Sequence, residues 1–251
     1  MNTKNAHVAG HIQTQKAAVK IENKYPMPRG LIGNLANGIG KTIARLSIRL
    51  HAEGLENIPK TTPYVIAANH ETYVDGMLIG SYLPKKHFKI MSCIAAKDLE
   101  DRHGIFGRII LRVGRGIPID RFGNPVRGLI AAKKAVDDGN IMLVHPEGTR
   151  SVDGHLGEMQ DGASFISIKS RVPLLPVFLD GAYEVFNRYM KAPEGRNPIT
   201  RLRREVILTF GKPFNPADFS SAREMTAALT DWMQARFNEK KVPRVFRTEN
   251  Q

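Results

Sequence analysis

Six short apolar runs, each of strand length, are spaced along this chain: YVIAA at 64–68, FKIMSCIA at 88–95, GIPID at 116–120, IMLVH at 141–145, PLLPVFL at 173–179 and EVILTFG at 205–211. Runs of this length bounded by Gly and Pro read as strands. Between and after them lie stretches with a helical step: 74–82, 105–113, 125–138, 161–170 and, last, 220–240. The 125–138 stretch is set by Val126, Leu129, Ile130, Lys133 and Val136, with Gly139 as its stop signal, and the last helix is opened by Ser220 or Ser221. Strands alternating with helices predict an α/β layer fold, a central and mostly parallel sheet flanked by helices. A chain of 251 residues buries enough surface to fold without a disulfide or a metal. No stretch approaches the ~18 apolar residues of a membrane-crossing helix.

The chain before the first run has a different character. Residues 1–30 are polar and unpatterned and read as a flexible arm. Their start, MNTKNAHVAGHIQTQK, lacks the apolar h-region of a secretory signal. In residues 31–50, LIGNLANGIGKTIARLSIRL, a stripe of Ile32, Leu35, Ala36, Ile39, Ile43, Leu46 and Leu50 lies opposite Lys41, Arg45 and Arg49. This predicts a basic amphipathic helix, suited either to packing on its own domain or to lying at a membrane interface. GIGKT at 38–42 is not a phosphate-binding loop, because Leu35 stands where that motif needs a glycine. Residues 51–251 read as one domain, with no internal linker or repeat.

Charge narrows the partners. The net charge is +13 and the isoelectric point about 10.0, which favours an anionic partner: nucleic acid, a membrane surface or a phosphorylated substrate. Residues 1–60 carry +6, 61–160 carry +2 and 161–251 carry +5, so the excess sits at the two ends. Aromatic residues make up 7% and do not interleave with the basic ones as base-stacking platforms do, which sets nucleic acid aside. Cys93 is the one cysteine, so no intramolecular disulfide forms, in keeping with a reducing compartment.

Two strand ends carry chemistry. Asn69-His70-Glu71-Thr72-Tyr73-Val74-Asp75 follows the YVIAA run. On one continuous helix, side chains five apart would diverge. If His70 ends the strand and Asp75 lies in the first helical turn, they meet. A carboxylate on one ring nitrogen fixes the tautomer, so the other nitrogen accepts a proton near neutral pH. No G-x-S-x-G elbow occurs, and Cys93 lies in an apolar strand, so the base has no evident protein nucleophile to activate; a substrate hydroxyl would serve instead. His145-Pro146-Glu147-Gly148-Thr149-Arg150-Ser151 follows the IMLVH run and places Glu147 and Arg150 at a strand's C-terminal edge, where α/β folds hold ligands. Arginine suits bidentate phosphate contacts. A third piece, Gly114-Arg115-Gly116-Ile117-Pro118-Ile119-Asp120-Arg121, offers another arginine but lacks the third glycine of a dinucleotide fingerprint.

These blocks, in this order, resemble the glycerolipid acyltransferases. NHETYVD is similar to that family's NHxxxxD block, GIPIDR to its second, HPEGTRS to its third and VPLLPV at 172–177 to its fourth, over about residues 52–215. AAKDL at 95–99 with IFG at 105–107 resembles the stretch between the first two. His145 stands where the family usually has Phe, and Glu71-Thr72 where Gln-Ser is common. The resemblance implies His70 as general base and Asp75 as its orienting partner, acting on a lysophospholipid hydroxyl that attacks acyl-CoA or acyl-carrier protein. It implies Arg121, Glu147, Gly148, Thr149 and Arg150, with Lys97, around the acceptor, and Pro173 and Pro176 along the acyl channel. It implies no metal and no cofactor beyond the acyl donor. The first-choice acceptor is 1-acyl-glycerol-3-phosphate, giving phosphatidic acid; a lyso-ornithine lipid, a glycolipid or glycerol-3-phosphate would use the same blocks. The resemblance also favours the interfacial reading of the 31–50 helix: peripheral or monotopic attachment on the cytoplasmic side of an anionic membrane, with the basic C-terminal end (Lys240, Lys241, Arg244, Arg247) as the next candidate for attachment.

Overall fold

A computed structural model describes residues 25–97, 99–120 and 125–243. The sheet has seven strands: β1 (Arg49–Glu53), β2 (Val65–Ala68), β3 (Met91–Ala96), β4 (Ile117–Ile119), β5 (Ile141–Val144), β6 (Leu174–Asp180) and β7 (Glu205–Phe210). Their order is β1-β7-β6-β2-β5-β3-β4, and every pairing is parallel except β6 with β7. The helices are α1 (Gly30–Ser47), α2 (Asp75–Ile79), α3 (Lys85–Ile90), α4 (Leu99–Gly114), α5 (Val126–Asp137), α6 (Gly162–Ser170), α7 (Tyr183–Phe186) and α8 (Ala222–Asn238). This is the expected α/β architecture.

The central strands are buried on both faces, which is why they read as unbroken apolar runs rather than alternating ones. Tyr64, Ile66 and Ala68 face one core, shared with Leu78 and Ile79 of α2 and Val185 and Phe186 of α7. Val65 and Ala67 face the other, shared with Ala132 and Val136 of α5, Ile166 of α6 and Leu229 and Met233 of α8. Each large aliphatic side chain fully buried this way contributes roughly 1.5–3 kcal/mol.

Three elements differ from the sequence reading. Residues 88–90 close α3 instead of opening β3, because Pro84 starts a short helix ahead of the strand. The amphipathic helix ends at Ser47; Arg49 and Leu50 belong to β1, an edge strand whose partly exposed residues carry no apolar run. Of the expected flexible arm, residues 1–24 lie outside the described residues, whereas Arg29 is 7% exposed and its guanidinium donates to the carbonyls of Val113, Phe88 and Met91.

The stripe on α1 faces outward. Leu31, Ile32, Leu35, Ile39, Ile43 and Leu46 are between 52% and 85% exposed. The inward face is Gly33, Asn37, Gly40, Lys41 and Ala44. A side chain at Gly33 would come within 3.3 Å of the Arg112 backbone, so glycine there lets α1 lie close against α4.

Candidate active site

The site sits at the C-terminal ends of β2 and β5, the neighbouring strands at the middle of the sheet. His70 leaves β2, Asp75 opens α2, and the bend between them brings His70 Nδ1 to 2.9 Å from Asp75 Oδ2. Asp75 is fully buried. Its Oδ2 also accepts the Glu71 N–H at 2.8 Å, and its Oδ1 accepts the Thr72 hydroxyl at 2.7 Å. The Thr72 N–H is shared between both oxygens at 3.0 and 3.1 Å. Burial alone would raise this carboxyl's pKa. The hydrogen bond and charge of His70, with His145 and the Thr72 N–H, outweigh burial and hold it below the usual carboxylate range. An ionised Asp75 only accepts, so His70 Nδ1 carries the hydrogen and Nε2 carries the lone pair.

The bend is fastened from several sides. The Asn69 amide pairs with the Leu179 backbone: Oδ1 accepts its N–H at 2.7 Å, and Nδ2 donates to its carbonyl at 2.9 Å. Glu71, buried, accepts from Asn69 Nδ2 at 3.3 Å and from the Tyr183 N–H at 2.8 Å. Glu147 accepts the His70 N–H on Oε1 and the Gly157 N–H on Oε2, both at 2.7 Å. The Ser151 N–H donates to the His70 carbonyl at 2.7 Å. The His70 peptide is therefore gripped on both sides by the loop after β5.

His145 lies flat on His70, with ring centroids 3.9 Å apart and planes 9° apart. Its Nδ1 donates to the carbonyls of Ala68 and Asn69 at 3.0 and 3.1 Å. Burial pushes its pKa down to about 4, and the adjacent His70 acts in the same direction. Among the described residues, His70, Asp75 and His145 are the group whose possible metal-ligand atoms lie together, within 4.8 Å. The two rings are parallel, so their in-plane lone pairs run side by side instead of converging on one ion, and each Nδ1 is already committed. The donor set is that of a stacked pair.

Arg150 spreads its guanidinium over the Tyr73 ring at 3.5 Å, and Tyr73 in turn meets Phe186 edge-on. Gly148 has a φ of 69°, the left-handed region that favours glycine, and Thr149 beside it is exposed. Lys97, at the end of β3, is exposed and 3.9 Å from Asp120. Arg121 lies outside the described residues. Pro173 and Pro176 are not brought to the site. The Pro173 carbonyl takes the Val65 N–H at the opposite end of β2, and Pro176 is buried within β6 in register with Ala67. Sequence reasoning did not single out the bracing roles of Asn69, Glu71 and Ser151 or the Tyr73 platform; most of these act through main-chain groups, which leave no side-chain pattern to read.

Among the described residues, no hydroxyl or thiol hydrogen-bonds His70 Nε2. Thr72 spends its hydroxyl on Asp75, and Ser151 donates its own to the His155 carbonyl at 2.8 Å. Cys93 is free, and burial pushes its thiol up to about 11.

Residues 49–180 match the family model described as Acyltransferase. The chain is 31% identical over 160 residues to a chloroplastic 1-acyl-sn-glycerol-3-phosphate acyltransferase of Arabidopsis thaliana, covering 59% of this chain and 41% of that protein. It is 26% identical over 188 residues to the 1-acyl-sn-glycerol-3-phosphate acyltransferase of Bacillus subtilis, covering 73% and 84%. It thus spans less than half the length of the plant relative and most of the bacterial one. Among solved structures it resembles the 1-acyl-sn-glycerophosphate acyltransferase PlsC of Thermotoga maritima, with a TM-score of 0.67, 26% identity, and coverage of 86% of this chain and 83% of that one.

Proposed function

The chain belongs to the acyltransferase family, and from that premise we propose that it transfers a fatty acyl group from acyl-CoA or acyl-carrier protein to the hydroxyl of a lysophospholipid, 1-acyl-glycerol-3-phosphate, to give phosphatidic acid. The observation that carries this reading is the buried, ionised Asp75 holding His70, with no nucleophile on Nε2 among the described residues.

In this mechanism Nε2 takes the proton of the acceptor hydroxyl as its oxygen attacks the thioester carbonyl carbon. The imidazolium that forms is stabilised by Asp75. The carbon–sulfur bond then breaks, the imidazolium returns its proton to the departing thiolate, and the free thiol and the new ester leave a neutral His70. No acyl-enzyme is formed. Arg150, held flat on Tyr73, meets the acceptor phosphate, and Gly148 and Thr149 line the approach; the family resemblance assigns Arg121 and Lys97 to the same phosphate. Glu147 supports acceptor binding by fixing the loop that carries Arg150.

The membrane assignment is part of the proposal. Among the described residues, no helix is long and apolar enough to cross a bilayer. The outward apolar face of α1 supports attachment at the surface of an anionic membrane, where basic residues add about 1 kcal/mol each.

The test supplies purified protein with oleoyl-CoA and lysophosphatidic acid and follows thiol release. His70→Ala should lower the rate at least about 100-fold; equal rates for wild type and variant, across several acyl donors, would overturn the assignment. Arg150→Ala should raise the KM for lysophosphatidic acid. A nearly silent Arg150→Ala would point to a phosphate-free acceptor.

A further inference from the structure

Among the apolar side chains exposed away from α1, the most exposed lies in the turn that precedes β7. In the segment Glu194–Arg204, Ile199 is 89% and Leu202 63% exposed. These are not frayed ends. Asn197 Oδ1 accepts the N–H groups of Ile199 and Thr200, the Asn197 N–H donates to Leu202, and the Arg201 N–H returns to the Asn197 carbonyl. Arg196 and Arg203 pair across the stem. The tip is a closed hairpin that holds two aliphatic side chains outward.

Its surroundings are cationic. Arg196, Arg201 and Arg203 flank the apolar pair, and among the described residues no carboxylate pairs with them; Glu194 is 3.8 Å from Arg204 at the base. Arg196 and Arg203 use one guanidinium N–H each on backbone carbonyls, of Arg201 and Arg45, leaving the rest of each fork outward. The second of these contacts fastens the hairpin to α1. A groove lined by Leu46, Ser47, Gly195, Arg196 and Arg201 runs between the two.

Topology places this pair of elements on the same edge of the sheet as the site. β7 runs antiparallel to β6, with Ile207 opposite Asp180, so the start of β7 lies at the C-terminal end of β6. β6 is parallel to β2, whose C-terminal end delivers His70. β1 pairs parallel with β7, Arg49 opposite Glu205, so α1 also ends on that edge. The hairpin, the C-terminal end of α1 and His70 therefore share one edge of the sheet. Arg188, upstream of the hairpin, donates to the Arg150 carbonyl at 3.3 Å.

We infer that the Glu194–Arg204 hairpin is a second bilayer-contacting element, which inserts Ile199 and Leu202 into an anionic phospholipid surface beside α1 and sets the His70 edge against the membrane. This rests on the interfacial reading of α1 and extends it. Aliphatic side chains flanked by arginines with no carboxylate partner among the described residues match the interface region, with the apolar groups below the phosphates and the guanidinium groups at them. Two separated contacts fix an orientation that one helix, free to roll about its axis, does not.

A polarity-sensitive fluorophore placed on single cysteines in a full-chain Cys93→Ala background tests it. Labels go at Ile199→Cys, at Leu35→Cys on α1 and at Lys212→Cys beyond the opposite end of β7. Vesicles of phosphatidylcholine with phosphatidylglycerol should shift the emission of the 199 and 35 labels to the blue and leave the 212 label unchanged, with little effect from phosphatidylcholine alone. A 35 response with a silent 199 overturns the hairpin contact and leaves the α1 reading standing. A 199 response with a silent 35 supports the hairpin and removes α1. An equal response at all three sites means unspecific adsorption, and a 199 shift that grows with protein concentration before vesicles are added means a second copy covers the tip; both overturn the proposal. Ile199→Glu with Leu202→Glu should weaken co-sedimentation with the anionic vesicles at least about tenfold while the thermal midpoint stays in place.

Discussion

At the His70 bend, polar atoms are buried and matched; along α1, aliphatic side chains are exposed and a cationic flank is turned inward. Asp75 is fully buried yet ionised because the neighbouring N–H and O–H groups and His70 favour its charged form. Lys41 and Arg29, by contrast, lie over the Phe88 ring at 3.9 and 4.0 Å and donate to carbonyls. The same sheet edge thus holds a region whose polar groups are satisfied within the protein and another whose apolar groups are left for something outside it. Changes in the first should strike chemistry, and changes to the exposed face of the second should strike attachment without touching the fold.

Asp75→Asn is the sharpest way to test the first half. The amide puts an NH₂ among donors and removes the acceptor that fixes the His70 tautomer, so kcat should fall about a thousandfold or more. The stability comparison carries a pH signature. An aspartate with a depressed folded pKa contributes stability above its unfolded value of about 3.9 and loses it as pH falls through the lower folded value. The gap in unfolding midpoint between wild type and variant should therefore narrow in acid; a gap constant from neutral pH downward would mean that Asp75 is not charged in the fold.

Leu35→Ser with Ile39→Ser tests the second half. Both side chains are exposed, so the thermal midpoint should move little, with ΔΔG within about 0.5 kcal/mol per site. Binding to anionic vesicles should drop roughly tenfold or more. Loss of stability without loss of binding would put that face inside the protein.

The two regions were unequally legible. The central strands were readable because burial on both faces leaves an unbroken apolar run, and His70 with Asp75 because the strand-to-helix change supplies the bend their spacing requires. α1 was readable as amphipathic, but a stripe does not say which way it faces. The signal lay on its other side: Gly33, Asn37, Gly40 and Ala44 recur at helical spacing, and small residues let a helix lie close against its neighbours. β1 escaped because an edge strand of RLHAE carries no apolar run. The family resemblance places Glu147 at the acceptor, while the structure shows it bracing the His70 loop. Its two backbone N–H donors come from His70 and Gly157, distant in sequence, so no local pattern shows them.

His145 sharpens the comparison at intermediate size. With its pKa near 4 it is a neutral plate at neutral pH, so what His70 needs from it is a flat ring. His145→Phe keeps the ring and should hold kcat within a few fold. His145→Ala removes a stack worth roughly 0.5–1.5 kcal/mol and should cost up to about tenfold. If Phe is as damaging as Ala, the bonds from Nδ1 to the Ala68 and Asn69 carbonyls, rather than the stack, hold His70.

The smallest effect belongs to Lys41, and it probes the inward side of α1. Burial lowers its pKa to about 8, with the charges of Arg29 and Arg45 acting in the same direction. The folded protein therefore releases this proton more readily than the unfolded chain, whose lysine titrates near 10.5. Stability attributable to Lys41 must rise as pH climbs from about 8 toward 10.5, and it is lowest where the ammonium is fully charged. The Gly80 carbonyl, 2.9 Å from Nζ, still receives an N–H from the neutral amine, so deprotonation relieves charge without breaking the contact. Lys41→Met removes the titration. The difference in thermal midpoint between wild type and Lys41→Met should shift toward wild type across that window, by under about 1 kcal/mol because the group is half exposed and screened. A difference that is flat with pH would mean that the Lys41 ammonium is solvated, and that α1 is held by its small residues alone.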